Sequence, residues 1–268
     1  MDSPSYGFSW PRLTRAVKLL LIANCAVFVV NAILQGALGS WLGVSWDGLW
    51  EGFGLGLVRL ITYQFVHDFY DPMHVLLNML MLYFFGTFVE EAVGEQRLMR
   101  LYLAAGVAGA LLQMVMTAIM QGSSSVPTVG ASGAVYGILV YAACMAPRMR
   151  VILLIFPVEL RILAGILVGI GVYMMYVELA LGRASGIAHG VHVGGAAFGF
   201  FAHRTRWQGF ALMDRVQSWR QQRNQQTEAD RRAKLDELLE KVHQHGITSL
   251  TAAERRFLDR ASQEMRRK

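Results

Sequence analysis

Four polar residues with catalytic potential lie inside apolar stretches of the chain. Ser132 opens the run SGAVYGILVYAACM, His192 lies in AHGVHVGGAAFG, and His74 and Asn78 lie in HVLLNMLM. A serine hydroxyl is a weak nucleophile until an adjacent base removes its proton, and histidine is the most frequent such base. His74 and Asn78 are four residues apart, so a helix places both on one face. Whether these four side chains can act together therefore depends on how the fold positions them.

Glycine spacing indicates how two of these residues could meet. Gly133 and Gly137 form a G-x-x-x-G pattern beside Ser132, and Gly195 and Gly199 form a second one just after His192. Small residues at this spacing allow two membrane helices to approach closely. If the two glycine faces meet, the Ser132 hydroxyl and the His192 imidazole come within hydrogen-bond reach. Tyr136 lies one turn after Ser132, where its ring could stack under the imidazole and hold its orientation.

The composition identifies the environment of these residues. Hydrophobic residues make up 54% of the 268 residues and charged residues only 16%, whereas a soluble domain has about 45–50% and about 25%. This balance predicts an integral membrane protein in a lipid bilayer and excludes intrinsic disorder. A disulfide scaffold is also excluded, because Cys25 and Cys144 both lie in apolar runs.

Six apolar stretches are candidates for membrane-spanning helices. They cover residues 17–38, 73–89, 98–120, 132–146, 162–181 and 187–203. Ten Lys and Arg residues lie at ends that would face the cytoplasm, against Arg59 and Arg183 on the opposite side. The positive-inside rule then places both termini in the cytoplasm. The sequence between the fourth and fifth stretches, RMRVILLIFPVEL, is too short to cross before Pro157 and predicts a strand-like connection.

The fourth apolar stretch is too short for a full membrane crossing. Residues 132–146 rise about 22 Å as a helix, against a hydrocarbon core of about 30 Å. The loop before it, GSSSVPTVGAS, must therefore dip into the membrane. Irregular backbone at that depth requires burial in protein or a wet cavity. This predicts a polar cavity with Ser132 at its floor, at a depth similar to that of His192, His74 and Asn78.

Charge and the apolar stretches together divide the chain into three segments. Residues 1–202 carry equal numbers of basic and acidic residues, so the whole net charge of +6 belongs to the C-terminal part. We predict a cytoplasmic N-terminal segment (1–16), a membrane domain (17–203) and a basic cytoplasmic tail (204–268).

The tail is predicted to form two short helices. Helical spacing relates Leu235, Leu238, Leu239 and Val242, Gly246 suits a helix end, and TAAE at 251–254 is a capping box. The tail contains no nucleic-acid reading motif, so no nucleic-acid partner is expected.

Three motifs in order resemble those of the rhomboid intramembrane serine proteases. GASG with Tyr136 is similar to the fourth-helix motif of that family, and HVLLNMLMLYFFGTFVE resembles its H-x-x-x-N second helix through Gly86 and Glu90. AHGVHVGGAAFG resembles the sixth-helix H-x-x-G-x-x-x-G. The match spans about residues 55–203, and SLTAAERRFL is similar to a segment that follows the last helix in some rhomboids. One departure is Val58-Arg59, where the family often has Trp-Arg.

The resemblance implies an all-α polytopic membrane protein, a six-transmembrane-helix rhomboid-like bundle with a short polar helical C-terminal tail. It also implies a serine endopeptidase that cleaves transmembrane segments of other membrane proteins, and we expect it in a bacterial inner membrane.

We therefore predict a catalytic dyad of Ser132 and His192. His192 would act as the base, since no Asp or Glu in the matched motifs is an obvious third member. The oxyanion hole would be formed by His74, Asn78 and the backbone N–H of Ser132. Gly133, Gly137, Gly195 and Gly199 would serve helix packing at the site, and no metal or cofactor is expected. The alternative is a non-catalytic rhomboid-like protein that binds membrane helices.

Several other polar residues are expected to have no chemical role. We place His67 and His189 in the outer membrane interface, interpret Glu90 and Arg59 as structural, and expect the Glu178 carboxylate to extend towards water. A zinc site formed by the histidines is a weaker hypothesis, because the sequence contains no H-E-x-x-H motif. A small-solute transporter would be expected to show an internal repeat, and none is evident.

Overall fold

The structure, a computed structural model, describes most of the chain. The described residues are 11–50, 56–121, 124–153, 156–182, 185–209, 219, 223, 226, 230, 233–246, 249–251 and 253–258. The chain divides into two compact units, Met1–Gln208 and Gly209–Lys268. Arg183 and residues 122–123 of the loop before Ser132 lie outside the described residues, as do residues 1–10.

The first unit consists mainly of helices joined by short connections. In chain order, its helices are α1 (Arg15–Ile33), α2 (Ala37–Leu42), α3 (Arg59–Thr62), α4 (Pro72–Met81), α5 (Thr87–Val93), α6 (Glu95–Gln121), α7 (Ser132–Met145), α8 (Leu160–Leu181) and α9 (His189–Arg204). A π-helical segment, Leu82–Gly86, joins α4 to α5, so the two form one continuous rod. Short 3₁₀ turns occupy Asp47–Leu49 and Tyr63–Phe65.

Four helical segments among the described residues are long and apolar enough to cross a membrane. They are Arg15–Ile33, Pro72–Val93, Glu95–Met120 and Leu160–Leu181. The helices α7 and α9 coincide with the fourth and sixth apolar stretches, but they have only 14 and 16 residues. The helical membrane protein is thus confirmed, whereas the count of six membrane crossings stays a prediction. The short fourth helix does begin at Ser132, as its sequence predicts.

The first helix ends earlier than its apolar sequence predicts. The apolar run continues to residue 38, but α1 stops at Ile33. Gln35 and Gly36 then adopt positive φ angles of 52° and 90°, and the Gly36 N–H donates to the Asn31 carbonyl. A left-handed backbone cannot continue a right-handed helix. The chain therefore turns, and Ala37 starts the separate helix α2.

Glycines set the distance between α7 and α9. A Cβ atom added to Gly195 would lie 2.0 Å from the Gly133 carbonyl oxygen, and one on Gly199 would lie 2.1 Å from the Gly137 carbonyl oxygen. Both distances are far shorter than any van der Waals contact, so only glycine permits this approach. Helix α6 joins the same core, because a Cβ atom on Gly194 would lie 2.9 Å from the Gly109 Cα.

The carboxylate of Glu90 fixes the start of α1. Its two oxygens accept hydrogen bonds from the Ala16 and Val17 N–H groups at 2.9 and 3.0 Å, and Thr14 donates its hydroxyl to the same group. The first N–H groups of a helix have no partner within the helix and carry partial positive charge. Glu90 is 6% exposed. It therefore ties the rod of α4 and α5 to the first turn of α1.

The connection between α7 and α8 is a small antiparallel hairpin. Strand β1 (Arg150–Leu153) pairs with β2 (Phe156–Glu159), in the register Arg150 to Glu159 and Ile152 to Pro157. This confirms the strand-like connection that its length and Pro157 predict. The Leu160 N–H donates to the Met149 carbonyl, so α8 begins directly where the hairpin closes.

In the second unit, the described residues are helical over 233–245 and 253–258. Gly246 follows the first of these helices with a φ of 77°, and its N–H donates to the Val242 carbonyl. The Thr251 N–H donates to Glu254 at 2.7 Å, and the Glu254 N–H donates to the Thr251 hydroxyl at 3.3 Å. These reciprocal bonds are the capping box that the sequence predicts.

Candidate active site

The Ser132 hydroxyl lies next to the His192 imidazole. Ser132 is the first residue of α7, and its Oγ is 2.9 Å from Nε2 of His192, one turn into α9. A serine at the start of a helix often caps it through its side chain, but α7 has no capping hydrogen bond from a side chain. The hydroxyl is instead directed at the imidazole. This is the contact that a nucleophile and its base require.

The close approach of α7 and α9 produces this contact. Val191, the neighbour of His192, packs against Gly133, where an added Cβ would lie 2.7 Å from the Val191 Cγ1. An added Cβ on Gly137 would lie 2.4 Å from the Ala105 Cβ of α6 and 2.9 Å from the Gly195 carbonyl oxygen. The helix carrying Ser132 is therefore held close to both of its neighbours, α6 and α9. A larger residue at any of these positions would change the distance between Ser132 and His192.

The ring of Tyr136 supports the imidazole. Its centroid is 4.4 Å from that of His192, and the two rings are 3° from parallel. Tyr136 lies one turn after Ser132 on α7, so the same helix presents the nucleophile and the ring that stacks on the base. A stacked ring restricts imidazole rotation and keeps Nε2 directed at the hydroxyl.

His74 and Asn78 lie one turn apart on α4. Asp71 caps the helix by accepting from the Met73 and His74 N–H groups, and Pro72 occupies its first turn. Asn78 is 6% exposed, and its amide donates to the His74 carbonyl at 2.8 Å. An amide NH₂ has two N–H donors, so one of them remains for another acceptor.

The loop before Ser132 lies directly against His74. An added Cβ on Gly130 would be 2.8 Å from both Cε1 and Nε2 of His74 and 4.0 Å from the Ser132 Oγ. Gly130 has a φ of 125°, which residues with a side chain rarely adopt. Glycine is therefore required here both by the backbone angle and by the short distance to the His74 ring. The His74 ring is thereby brought beside the first turn of α7. The structure thus brings Ser132, His192 and His74 together, and Asn78 lies one turn after His74 on α4.

Comparison with protein families identifies the fold that holds this site. The model of the rhomboid domain family matches residues 54–209, which is more than half of the chain and contains Ser132, His192, His74 and Asn78. The chain belongs to the rhomboid family. A second match, to a family of unknown function (DUF6576), covers residues 221–264 of the tail.

Curated relatives of this rhomboid come from plants, fungi and bacteria. RHOMBOID-like protein 12, mitochondrial, from Arabidopsis thaliana is 34% identical over 66% of this chain and 54% of its own length. Rhomboid protein 1, mitochondrial, from Saccharomyces cerevisiae is 26% identical over 63% of this chain and 45% of its own length. Rhomboid protease GluP from Bacillus subtilis is 33% identical over 48% of this chain and 22% of its own length. The matches thus span about half or less of each relative.

His67 in this rhomboid is buried, which its sequence does not predict. The sequence analysis places His67 in the outer membrane interface, which stays a prediction, and within the fold the residue is 0% exposed. Its Nε2 accepts a hydrogen bond from the Ala131 N–H at 3.4 Å, and its ring lies edge-on to His74 with centroids 5.2 Å apart. Seven residues separate His67 from His74, and the chain folds back between them. No spacing rule for one helix relates two residues across such a turn.

Two further polar residues are also buried. His189 is 7% exposed, and its ring centroid lies 6.0 Å from that of His192. Glu178, predicted to extend towards water, is 5% exposed and accepts from both the backbone N–H and the hydroxyl of Ser185. The carboxylate caps the backbone after α8 because Gly182 ends that helix in the left-handed conformation and returns the chain towards it. A serine seven residues downstream is too weak a sequence signal for this contact.

Proposed function

We propose that this rhomboid is an intramembrane serine endopeptidase that cleaves transmembrane segments of other membrane proteins. The observation that carries the proposal is the 2.9 Å contact between the Ser132 Oγ and the His192 Nε2. It joins a nucleophile and a base from two helices inside a helical membrane domain. The stacked Tyr136 and the glycine contacts give a reason for the contact to persist.

In the proposed reaction, Ser132 is the nucleophile and His192 acts first as a base and then as an acid. His192 removes the Ser132 proton as the hydroxyl oxygen attacks the scissile carbonyl carbon, and the imidazolium then gives that proton to the leaving amine. The product is an acyl-enzyme on Ser132. Water, deprotonated by His192, attacks the ester carbonyl, and the carboxyl product leaves as the proton returns to Ser132.

Three donors are proposed to stabilise the oxyanion of the tetrahedral intermediate. Ser132 is the first residue of α7, and an N–H group in the first turn of a helix has no partner within the helix. The Asn78 amide has a second N–H beyond the one bonded to the His74 carbonyl. The His74 ring lies against Gly130, two residues before the nucleophile. Loss of one such donor typically costs about 2.7–4 kcal/mol of transition-state stabilisation.

The proposed substrate is a transmembrane helix with a weak segment. A carbonyl within a helix is already hydrogen-bonded and shielded, so the substrate must unwind locally before Ser132 can attack. Glycine destabilises a helix by about 1 kcal/mol relative to alanine, and proline by about 3 kcal/mol. Substrates with such residues near the cut are therefore expected to be cleaved faster.

The non-catalytic alternative would bind membrane helices without cleaving them. Several relatives are named rhomboid-like, whereas the Bacillus subtilis relative is named a protease. The paired Ser132 and His192 favour catalysis, because binding a helix requires neither a nucleophile nor a base. We therefore retain the protease as the proposal.

The membrane location and orientation are part of the proposal. The positive-inside pattern supports cytoplasmic termini, and we propose a bacterial inner membrane, although several relatives carry mitochondrial names. Reporter fusions at residues 11 and 209 test the orientation. Cytoplasmic reporter activity at both positions is expected, and activity at the opposite face for either would contradict it.

The function is tested with purified protein and a model transmembrane substrate in detergent. Wild type is expected to cleave it, whereas Ser132→Ala and His192→Ala are expected to be inactive. Asn78→Ala should retain part of the activity, about 100–1,000-fold below wild type. Cleavage by Ser132→Ala would contradict the proposal, as would a wild type that binds the substrate without cleaving it.

A further inference from the structure

His67 occupies a buried position between the loop that leads to Ser132 and the helix that carries His74. Its side chain is 0% exposed, although histidine is seldom fully buried. The backbone around it is fixed, since the Asn31 amide donates to the His67 carbonyl at 3.0 Å. The Leu38 N–H donates to the side-chain oxygen of the same Asn31. The backbone at His67 is therefore held from the end of α1.

One ring nitrogen of His67 contacts the loop. The Ala131 N–H donates to Nε2 at 3.4 Å, so Nε2 carries no proton and the neutral ring has its proton on Nδ1. Ala131 is 0% exposed and directly precedes Ser132. A buried backbone N–H needs an acceptor. His67 supplies it at the residue where irregular loop becomes helix α7.

The same ring also contacts His74. The two ring centroids are 5.2 Å apart and the ring planes are 64° apart, an edge-to-face arrangement. Gly130 also lies against His74, and a Cβ atom added to Gly130 would be 4.0 Å from the Ser132 Oγ. A displacement of His67 would therefore move both the His74 ring and the backbone at Ala131. These two groups flank the nucleophile from different chain segments.

We propose that His67 is a positioning residue that sets the distance between the His74 ring and the backbone N–H of Ser132. It acts through Ala131 and His74 and does not itself touch the reacting atoms. Its catalytic consequence rests on the proposed protease function, but its effect on the Ala131 N–H does not. The acceptor at the Nε2 position is the feature that matters.

Three substitutions at His67 separate this role from simple packing. The amide oxygen of glutamine reaches the position of Nε2, that of asparagine reaches only the position of Nδ1, and leucine has no acceptor. We expect His67→Gln to keep kcat within about threefold of wild type. His67→Leu and His67→Asn should lower kcat by about 100-fold, the effect of a displacement of about 1 Å at a reacting group. The KM should change little in all three.

Hydrogen–deuterium exchange provides a readout that does not need activity. The Ala131 amide in wild type and His67→Gln should exchange slowly, and in His67→Leu and His67→Asn at least tenfold faster. Amides in the second half of α7 report whether the whole domain has been destabilised, and they should not change. His203→Leu serves as the histidine control, since His203 packs on Tyr141 at the other end of α9. It should leave both measurements unchanged.

The outcomes distinguish the two proposals. Wild-type kcat and unchanged Ala131 exchange in His67→Leu would overturn the positioning role. Equal loss of kcat in His67→Gln and His67→Leu would also overturn it, because the acceptor would then be irrelevant. If wild type cleaves nothing, the protease proposal fails, while the exchange pattern still decides whether His67 holds the loop.

Discussion

The Gly195 Cα lies so close to the Gly133 backbone that a methyl group between them would sit 2.0 Å from the Gly133 carbonyl oxygen. Gly133 follows Ser132 directly, and Gly195 lies one turn after His192. The close contact between these two glycines therefore sets the distance between the Ser132 hydroxyl and the His192 imidazole. In the proposed protease, packing and catalysis depend on the same helix contact.

Substitution of Gly195 by alanine should separate α7 from α9. The added methyl group requires the backbones to move apart, and overpacking of this kind costs about 1–3 kcal/mol. The move also lengthens the Ser132–His192 contact, so activity should fall by about 100-fold. Thermal unfolding in detergent and substrate cleavage measure the two effects.

Gly169→Ala is the matched control for this substitution. Gly169 lies on α8, and an added Cβ there would meet no atom within 4 Å. Both unfolding temperature and activity should stay near wild type. Equal losses in the two variants would show that the effect comes from alanine in a membrane helix rather than from the contact between α7 and α9.

Removal of the Tyr136 ring should lower activity more than removal of its hydroxyl. Tyr136→Phe keeps the ring that stacks on His192 at 4.4 Å, so its kcat should stay close to wild type. Tyr136→Ala loses an aromatic contact of roughly 0.5–1.5 kcal/mol, and kcat should fall about two- to tenfold. Similar losses in both variants would assign the role to the hydroxyl instead.

Neutralisation of Glu90 should destabilise the membrane domain. Glu90→Gln keeps one acceptor oxygen, but it loses the charge that binds the Ala16 and Val17 N–H groups. A hydrogen bond to a charged group contributes roughly 1.5–3 kcal/mol, so the unfolding temperature should fall. Glu91→Gln, at an exposed neighbouring position, should leave it unchanged. A loss in Glu91→Gln as large as that in Glu90→Gln would contradict the capping role.

The capping box of the tail should respond to acid. The Thr251 N–H, and then the Lys241 ammonium, lower the pKa of the Glu254 carboxyl to about 2. Since this pKa is below the unfolded value of about 4.3, the bond stabilises the helix over 253–258 at neutral pH. That contribution is present above about pH 4.3 and is lost as the pH falls through about 2. The amide resonance of Thr251 should shift with a midpoint near pH 2, and a midpoint above 4 would contradict the bond.

Local spacing in the sequence predicts most of the candidate site. The i, i+4 relation of His74 and Asn78 and the two G-x-x-x-G patterns each depend on the geometry of one helix. They therefore predict which faces meet, and the contacts of Gly133 with Gly195 and of Gly137 with Gly199 confirm that the two glycine faces are packed together. The capping box at Thr251 and Glu254 is predicted for the same reason.

Contacts between distant segments are not predicted. His67 meets Ala131 across more than 60 residues, and its burial depends on how the loop before α4 folds back. Glu178 meets Ser185 across a helix end, where the direction of the chain depends on a left-handed glycine. The early end of α1 at Ile33 is also missed, because hydropathy does not register the positive φ angles of Gln35 and Gly36.

Covalent labelling of Ser132 tests the central claim most directly. A fluorophosphonate reacts with a serine whose hydroxyl is activated by a base, and mass spectrometry then locates the modified residue. The account predicts modification of Ser132 in wild type and at least 100-fold slower modification in His192→Ala. Equal labelling rates in the two proteins, or modification of a different residue in wild type, would contradict activation of Ser132 by His192.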